Sequence, residues 1–272
     1  MADNIIKIEA TKNIVGNIFG VPNSLNALTY TNPDPLINNI GGIKASEHEN
    51  GFNKVSVSDL LTELLYPYTE PVINSFRLTP AAGVKEKGVK ITLEKVIANI
   101  TKKSKKISKV ELYKGSTLLA SYTGEITSTG TTVTFSDIND NLDGSTNTTY
   151  TIKVSEENGT SDVVTQNATY TFVNPYYYGI VNKSAEINED LVTGLIKVIE
   201  SKGKKERSYT TTKDESSVIA YPASYGELTN IKDQNGFTQT WTKYDVTIGG
   251  VAYYVYVSGP AAATNFKYTF TY

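Results

Sequence analysis

The polar turn Asp233-Gln234-Asn235-Gly236 is the stretch whose residue types come nearest to a ligand site. Its acid and amides could hydrogen-bond sugar hydroxyls, while Tyr225 and Trp241 nearby could stack on a sugar face. The same residues have a structural reading, because Asn-Gly ahead of an alternating segment signals a hairpin and aromatics in strands serve pleated packing. Tyr225, Asp233, Asn235 and Trp241 are therefore candidate glycan contacts, with turn and core as the competing roles. A second polar stretch, residues 137–144, resembles a calcium loop in part. Counted from Asn139, positions 1, 3, 5 and 6 are Asn, Asn, Asp and Gly, but position 12 is Tyr150 where such loops place a bidentate Glu. A hairpin loop is the stronger reading, and no metal site is expected.

Other chemistries meet composition. The 272 residues include no cysteine and one histidine, His48, against nineteen tyrosines. Thiolate nucleophiles, disulfides and Cys-zinc sites are excluded, and a two-histidine metal motif cannot be built within one chain. His48 lies in a polar stretch and reads as solvated. Asp214, Glu215, Glu227 and Asp233 are acids of the C-terminal region, but nothing in their spacing pairs them as a glycosidase requires. No phosphate loop, dinucleotide fingerprint or nucleophile elbow is present. A non-enzymatic protein without cofactors is expected. The formal charge is −2 and the pI about 5.6, which argues against general nucleic-acid binding. The basic run Lys102–Lys106 reads as a solvated loop before a strand rather than a polyanion patch. The chain start lacks the apolar core of a signal peptide, and no run reaches the ~20 apolar residues of a membrane helix, so membrane insertion is not expected.

The elements that would position these residues are mostly strands. Residues 1–70 are rich in Asn, Gly and Pro, with one amphipathic helix carried by Val57, Leu60, Leu61, Leu64 and Leu65. Ser56 can cap it, and Pro67 forces the exit. So short a helix on a loop-rich arm must dock on something, either the following domain or another subunit. Leu60, Leu61, Leu64, Leu65, Tyr66 and Tyr68 are the candidate anchoring contacts. Residues 71–174 then alternate with period two in about seven short strands, one of them Val89–Ile100, as an immunoglobulin-like β-sandwich would. Residues 175–272 read as a β-rich C-terminal domain. One helix is expected there, from the cap Asn188 along Leu191, Leu195, Ile196 and Ile199 to Gly203, followed by strands that include Phe237–Val246. Gly249-Gly250 marks a two-residue hairpin.

Three stretches together resemble tailed-bacteriophage virion proteins of the fibre, collar or appendage type, as found in phages of gut bacteria. They are Ile40-Gly41-Gly42-Ile43-Lys44 with Val57–Pro71, the run from Tyr170 to Gly179, and Ala220–Phe237. Together they span about residues 40–272. The resemblance implies a virion structural subunit made in the bacterial host cytoplasm. It also implies attachment to capsid, collar or tail proteins through the N-terminal arm, and homo-oligomerisation, with a trimer expected because fibres commonly carry three-fold symmetry. Host-surface polysaccharide is the further partner it suggests. A glycan-binding surface module is the alternative. The motifs are structural signatures and carry no identified catalytic or sugar-binding residues to these positions.

Overall fold

A computed structural model describes residues 8–10, 28–30, 39–40, 43–44, 55–157, 164–259 and 264–272, with side chains from Ser56 onward except 57, 60, 63 and 264. The chain divides into two compact units, Met1–Glu70 and Pro71–Tyr272, and the fold is mainly β. In the first unit, strands β1 (Ile8–Ala10), β2 (Leu28–Tyr30) and β5 (Val55–Ser56) form a three-stranded antiparallel sheet. β3 (Asn39–Ile40) and β4 (Ile43–Lys44) pair with each other. Helix α1 (Val57–Leu65) follows β5 directly. The Ser56 hydroxyl accepts the Asp59 N–H at 3.0 Å, satisfying one of the amides that a helix start leaves unpaired. The Tyr66 N–H returns to the Thr62 carbonyl, and Pro67 follows. The expectation of a loop-rich arm with a single helix thus missed its small sheet, whose strands are too short to give a periodic signal.

The second unit begins with a β-sandwich. Strands β6 (Val72–Thr79), β9 (Lys95–Thr101) and β12 (Thr131–Phe135) form one sheet in the order β12-β9-β6. The facing sheet contains β7 (Gly83–Glu86), β10 (Ile107–Lys114), β11 (Thr117–Tyr122), β14 (Thr148–Glu156) and β15 (Val164–Val173), ordered β11-β10-β14-β15-β7. Neighbours are antiparallel except β7, which closes the sheet parallel to β15. On β9, Val96, Ala98 and Ile100 alternate inward against Val110 and Leu112 of β10 and Ile152 and Val154 of β14. The two sheets enclose a core held by packing alone, since the chain has no cysteine to form a disulfide.

Within this sandwich the expected strand Val89–Ile100 is two strands. Glu94 interrupts it, its N–H bonding the Thr79 carbonyl and its own carbonyl accepting from the Ile138 N–H. β8 (Ile91–Leu93) pairs instead with β13 (Asp140–Leu142), a strand that the polar sequence Asp-Asn-Leu did not suggest.

The C-terminal module has its own core. β16 (Tyr176–Asn182), β17 (Ile196–Val198), β19 (Glu215–Pro222), β21 (Trp241–Ile248) and β22 (Val251–Ser258) form a five-stranded sheet ordered β17-β16-β19-β22-β21. β18 (Lys205–Thr211), β20 (Asn230–Lys232) and β23 (Thr264–Thr271) form a second sheet, ordered β18-β23-β20. Tyr176, Tyr221, Tyr256 and Trp241 of the first meet Tyr209, Tyr268, Phe270 and Ile231 of the second in one aromatic cluster. The other face of the five-stranded sheet packs Tyr177, Val218, Tyr253 and Val255 with Val192 of helix α2 (Glu189–Thr193). β19 is therefore buried on both sides, which explains its continuous apolar run Val-Ile-Ala-Tyr. Gly249 and Gly250 have φ of +54° and +81° and join Ile248 to Val251, a turn whose twist suits a hairpin and excludes most side chains.

Helix α2 is shorter than its stripe suggests. Asn188 caps it as expected, its side-chain oxygen accepting the Leu191 N–H at 3.0 Å. The helix ends at Gly194, and Ile196 and Val198 then add to the sheet edge beside Tyr176–Tyr178. β-branched residues next to an open strand edge gain more as a strand than as helix.

An ionic cluster closes this module near the start of β18. The Glu200 carboxylate pairs with Lys205 at 3.1 Å and Arg207 at 2.8 Å, and both cations are only 13% exposed. Partial burial alone would raise the Glu200 carboxyl, but the Arg207 and Lys205 hydrogen bonds hold it below the ordinary carboxylate value of 4.5. A depressed folded-state pKa contributes stability that is present above the unfolded value and lost as pH falls through the folded one. Urea titrations at pH 7 should show Glu200→Gln less stable by about 2–3 kcal/mol, since two poorly hydrated cations lose their counter-charge. By pH 3 the difference from wild type should shrink. An equal difference at both pH values would mean the charge is not what matters.

Candidate functional site

The turn at 233–237 is built around Asp233. Its Oδ1 accepts the backbone N–H groups of Asn235 at 2.9 Å and Phe237 at 3.0 Å, and its Oδ2 accepts from the Gln239 amide at 2.9 Å. Gly236 supplies the left-handed residue the turn needs, with φ +85°. The carboxylate is thus engaged in holding the loop, while Asn235 stands exposed beside it.

Trp241 and Tyr225 belong elsewhere. Trp241 is 8% exposed, edge-on to Tyr268 at 5.0 Å and Phe270 at 5.2 Å between ring centroids. Tyr225 is half-buried, with its ring 5.7 Å from Tyr176. The four candidate glycan contacts therefore separate into two pairs, one in the turn and one in the aromatic cluster. The expected strand at Phe237–Val246 starts only at Trp241. Phe237 stays outside it and 67% exposed, a large aromatic that no packing accounts for.

A groove of about 640 Å³ lies beside this turn, lined chiefly by the outer face of the β18-β23-β20 sheet. Alternation puts Phe266, Tyr268 and Phe270 of β23 inward, leaving Lys267, Thr269 and Thr271 outward. Register sets Glu206, Thr269 and Lys232 in one row across the three strands, and Asn230 beside Thr271. Lys204 precedes β18, and Asp233, Gln234 and Gly236 form the wall contributed by the turn. Gln234 also substitutes for the rung beyond the short β20, its side-chain oxygen accepting the Lys267 N–H at 3.1 Å. The alternation of polar and aromatic residues from Asn265 to Tyr272 was the sequence signal for this face, but only the sheet order unites it with Lys204 and Lys232.

The expected anchoring residues are a second, chemically different surface. Leu61, Leu64 and Tyr68 are exposed, Leu65 is 70% exposed and Tyr66 77%. The side chain of Leu60 lies outside the described residues. The last turns of the helix and its exit therefore present five large apolar side chains to solvent within eight residues, where single exposed apolar residues are ordinary but clustered ones are typical of interaction surfaces.

The remaining candidates have local partners. In the calcium-like stretch, Asp140 pairs with Lys114 at 2.8 Å and accepts the Tyr150 hydroxyl at 2.5 Å. The Ser145 hydroxyl and N–H bind Asp143 and hold its carboxyl below the usual range. Among the described residues no group of three or more His, Asp or Glu side chains lies close enough to hold a metal ion. Asp214 pairs with Lys183, Glu227 with Lys243, and Glu215 accepts the Thr212 N–H. Of the basic run, Lys106 pairs with Glu157 at 2.6 Å in the loop before β10. His48 lies outside the described residues. Burial pushes the Tyr170 and Tyr176 hydroxyls up to about 12 and those of Tyr209, Tyr221 and Tyr253 higher still, so these phenols stay protonated at neutral pH. No protein-family model matches the chain, and no curated protein is significantly similar to it.

Proposed function

We propose that the chain is a non-enzymatic structural subunit of a tailed-phage virion, a fibre, collar or appendage protein anchored through its N-terminal unit. The observation that carries this reading is the exposed apolar surface of α1 and its exit, Leu61, Leu64, Leu65, Tyr66 and Tyr68. A subunit that assembles with copies of itself, and with capsid, collar or tail proteins, uses such a surface. The β-modules that follow suit a distal, solvent-exposed appendage able to reach the host surface. Their cores are apolar clusters in a chain without cysteine, so they need no oxidising compartment for disulfides. The alternative, a glycan-binding module reading sugar through Tyr225, Asp233, Asn235 and Trp241, is weaker in that form. The indole is committed to the core and the Asp233 carboxylate to its own turn.

The test is location. Particles banded from a lysate of cells expressing this gene within its phage should contain the chain in fixed proportion to the capsid protein, and antibody raised against it should label particles at defined points. A chain found only in the unbanded soluble fraction would overturn the proposal.

A further inference from the structure

We propose that the outer face of the β18-β23-β20 sheet is a binding groove for an acidic glycan, a chain carrying both hydroxyl and carboxylate groups. This is independent of the anchoring reading, since every residue involved lies in the C-terminal module. Three features of the groove select the ligand.

The first is charge. Lys267 is neutralised by Glu206 at 2.6 Å, and Lys204 and Lys232 have no ion-pair partner among the described residues; with the Asp233 carboxylate counted, the lining keeps an excess of one positive charge. Lys204 directly precedes one edge strand of the three-stranded sheet and Lys232 lies on the opposite edge strand, so the width of the sheet, roughly 10 Å at ordinary strand spacing, separates them. Such a separation fits anionic groups repeated along an extended chain better than a single phosphate.

The second is hydrogen bonding. The hydroxyls of Thr269 and Thr271 and the side-chain amide of Asn230 make no hydrogen bonds within the described protein, and the Asn230 side-chain oxygen is buried without a donor. The Thr269 and Thr271 hydroxyls can both donate and accept, which favours a ligand with O–H groups. A sugar supplies them, whereas a polyphosphate offers no donor.

The third is Phe237. Its exposed ring follows Gly236 of the groove wall and lies outside the lining itself, so it can serve only a ligand that extends past the turn.

Calorimetric titration of the full chain tests this with oligomers of galacturonate, alginate and hyaluronan, a neutral maltohexaose and a polyphosphate of similar charge. At least one acidic oligosaccharide should bind in the micromolar to millimolar range, more weakly at higher salt, with maltohexaose and polyphosphate at least about tenfold weaker. Lys204→Ala/Lys232→Ala should reduce that affinity at least about tenfold. Thr269→Val/Thr271→Val should reduce it at unchanged charge, and both variants should keep the wild-type unfolding midpoint because the substitutions face solvent. Binding to none of the three acidic glycans, equal affinity for polyphosphate, or full affinity in either double variant would overturn the proposal.

Discussion

Trp241→Ala should destabilise the C-terminal module by about 3–5 kcal/mol, the usual result of truncating a buried aromatic. The indole fills the space between two sheets and meets Tyr209, Tyr268 and Phe270 edge-on, so removal leaves a cavity that rigid strands on both sides cannot close. Against a total stability of about 5–15 kcal/mol, a large share of the protein would then unfold near physiological temperature. Tyr244→Ala on the same strand is the control. Its ring is exposed, and the expected change is within about 0.5 kcal/mol. Denaturant titrations followed by circular dichroism make the comparison. A Trp241→Ala protein as stable as Tyr244→Ala would contradict the position of the indole and restore Trp241 as a surface residue able to stack on a ligand.

The same strand shows where sequence reasoning stops. Trp241 and Ile248 have opposite parity along β21, so one enters the cluster between the sheets and the other the cluster beneath α2. Both faces of the strand carry apolar residues, and alternation cannot say which aromatic meets water. β23 was easier, because Phe266, Tyr268 and Phe270 share one face and the polar residues the other. The caps Ser56 and Asn188 were legible, since a single oxygen at the right offset suffices. The length of α2 was not. Leu191, Leu195, Ile196 and Ile199 have helical spacing, but Gly194 and an open sheet edge decided the outcome, and that edge exists only in the folded chain.

The candidate site divided in the same way. The loop-holding role of Asp233 follows from a short Asp-x-Asn-Gly turn and could be read locally. The groove could not, because Lys204 at the start of β18, Lys232 on β20 and Thr269 on β23 are distant in sequence and only the order β18-β23-β20 brings them together. Phe237 was assigned to a strand because an aromatic ahead of Trp241 extends the β-prone run. The Asp233 turn and the Gln239 hydrogen bond hold the intervening residues out of the ladder.

Assembly carries the second large effect. Burying Leu64 and Leu65 in an interface contributes about 1.5–3 kcal/mol for each side chain. Leu64→Asp/Leu65→Asp should therefore weaken association at least about a hundredfold, since every 1.4 kcal/mol is tenfold. Both side chains are exposed in the single chain, so the β-modules should unfold at the wild-type midpoint. The deciding measurement is the mass of the full chain by sedimentation at about 10 µM, wild type beside this double variant. The account predicts a discrete oligomer for the wild type, near three times the 29.7 kDa of one chain, and a monomer for the variant. A wild-type monomer, or an oligomer that the two aspartates leave intact, would contradict α1 as the assembly surface.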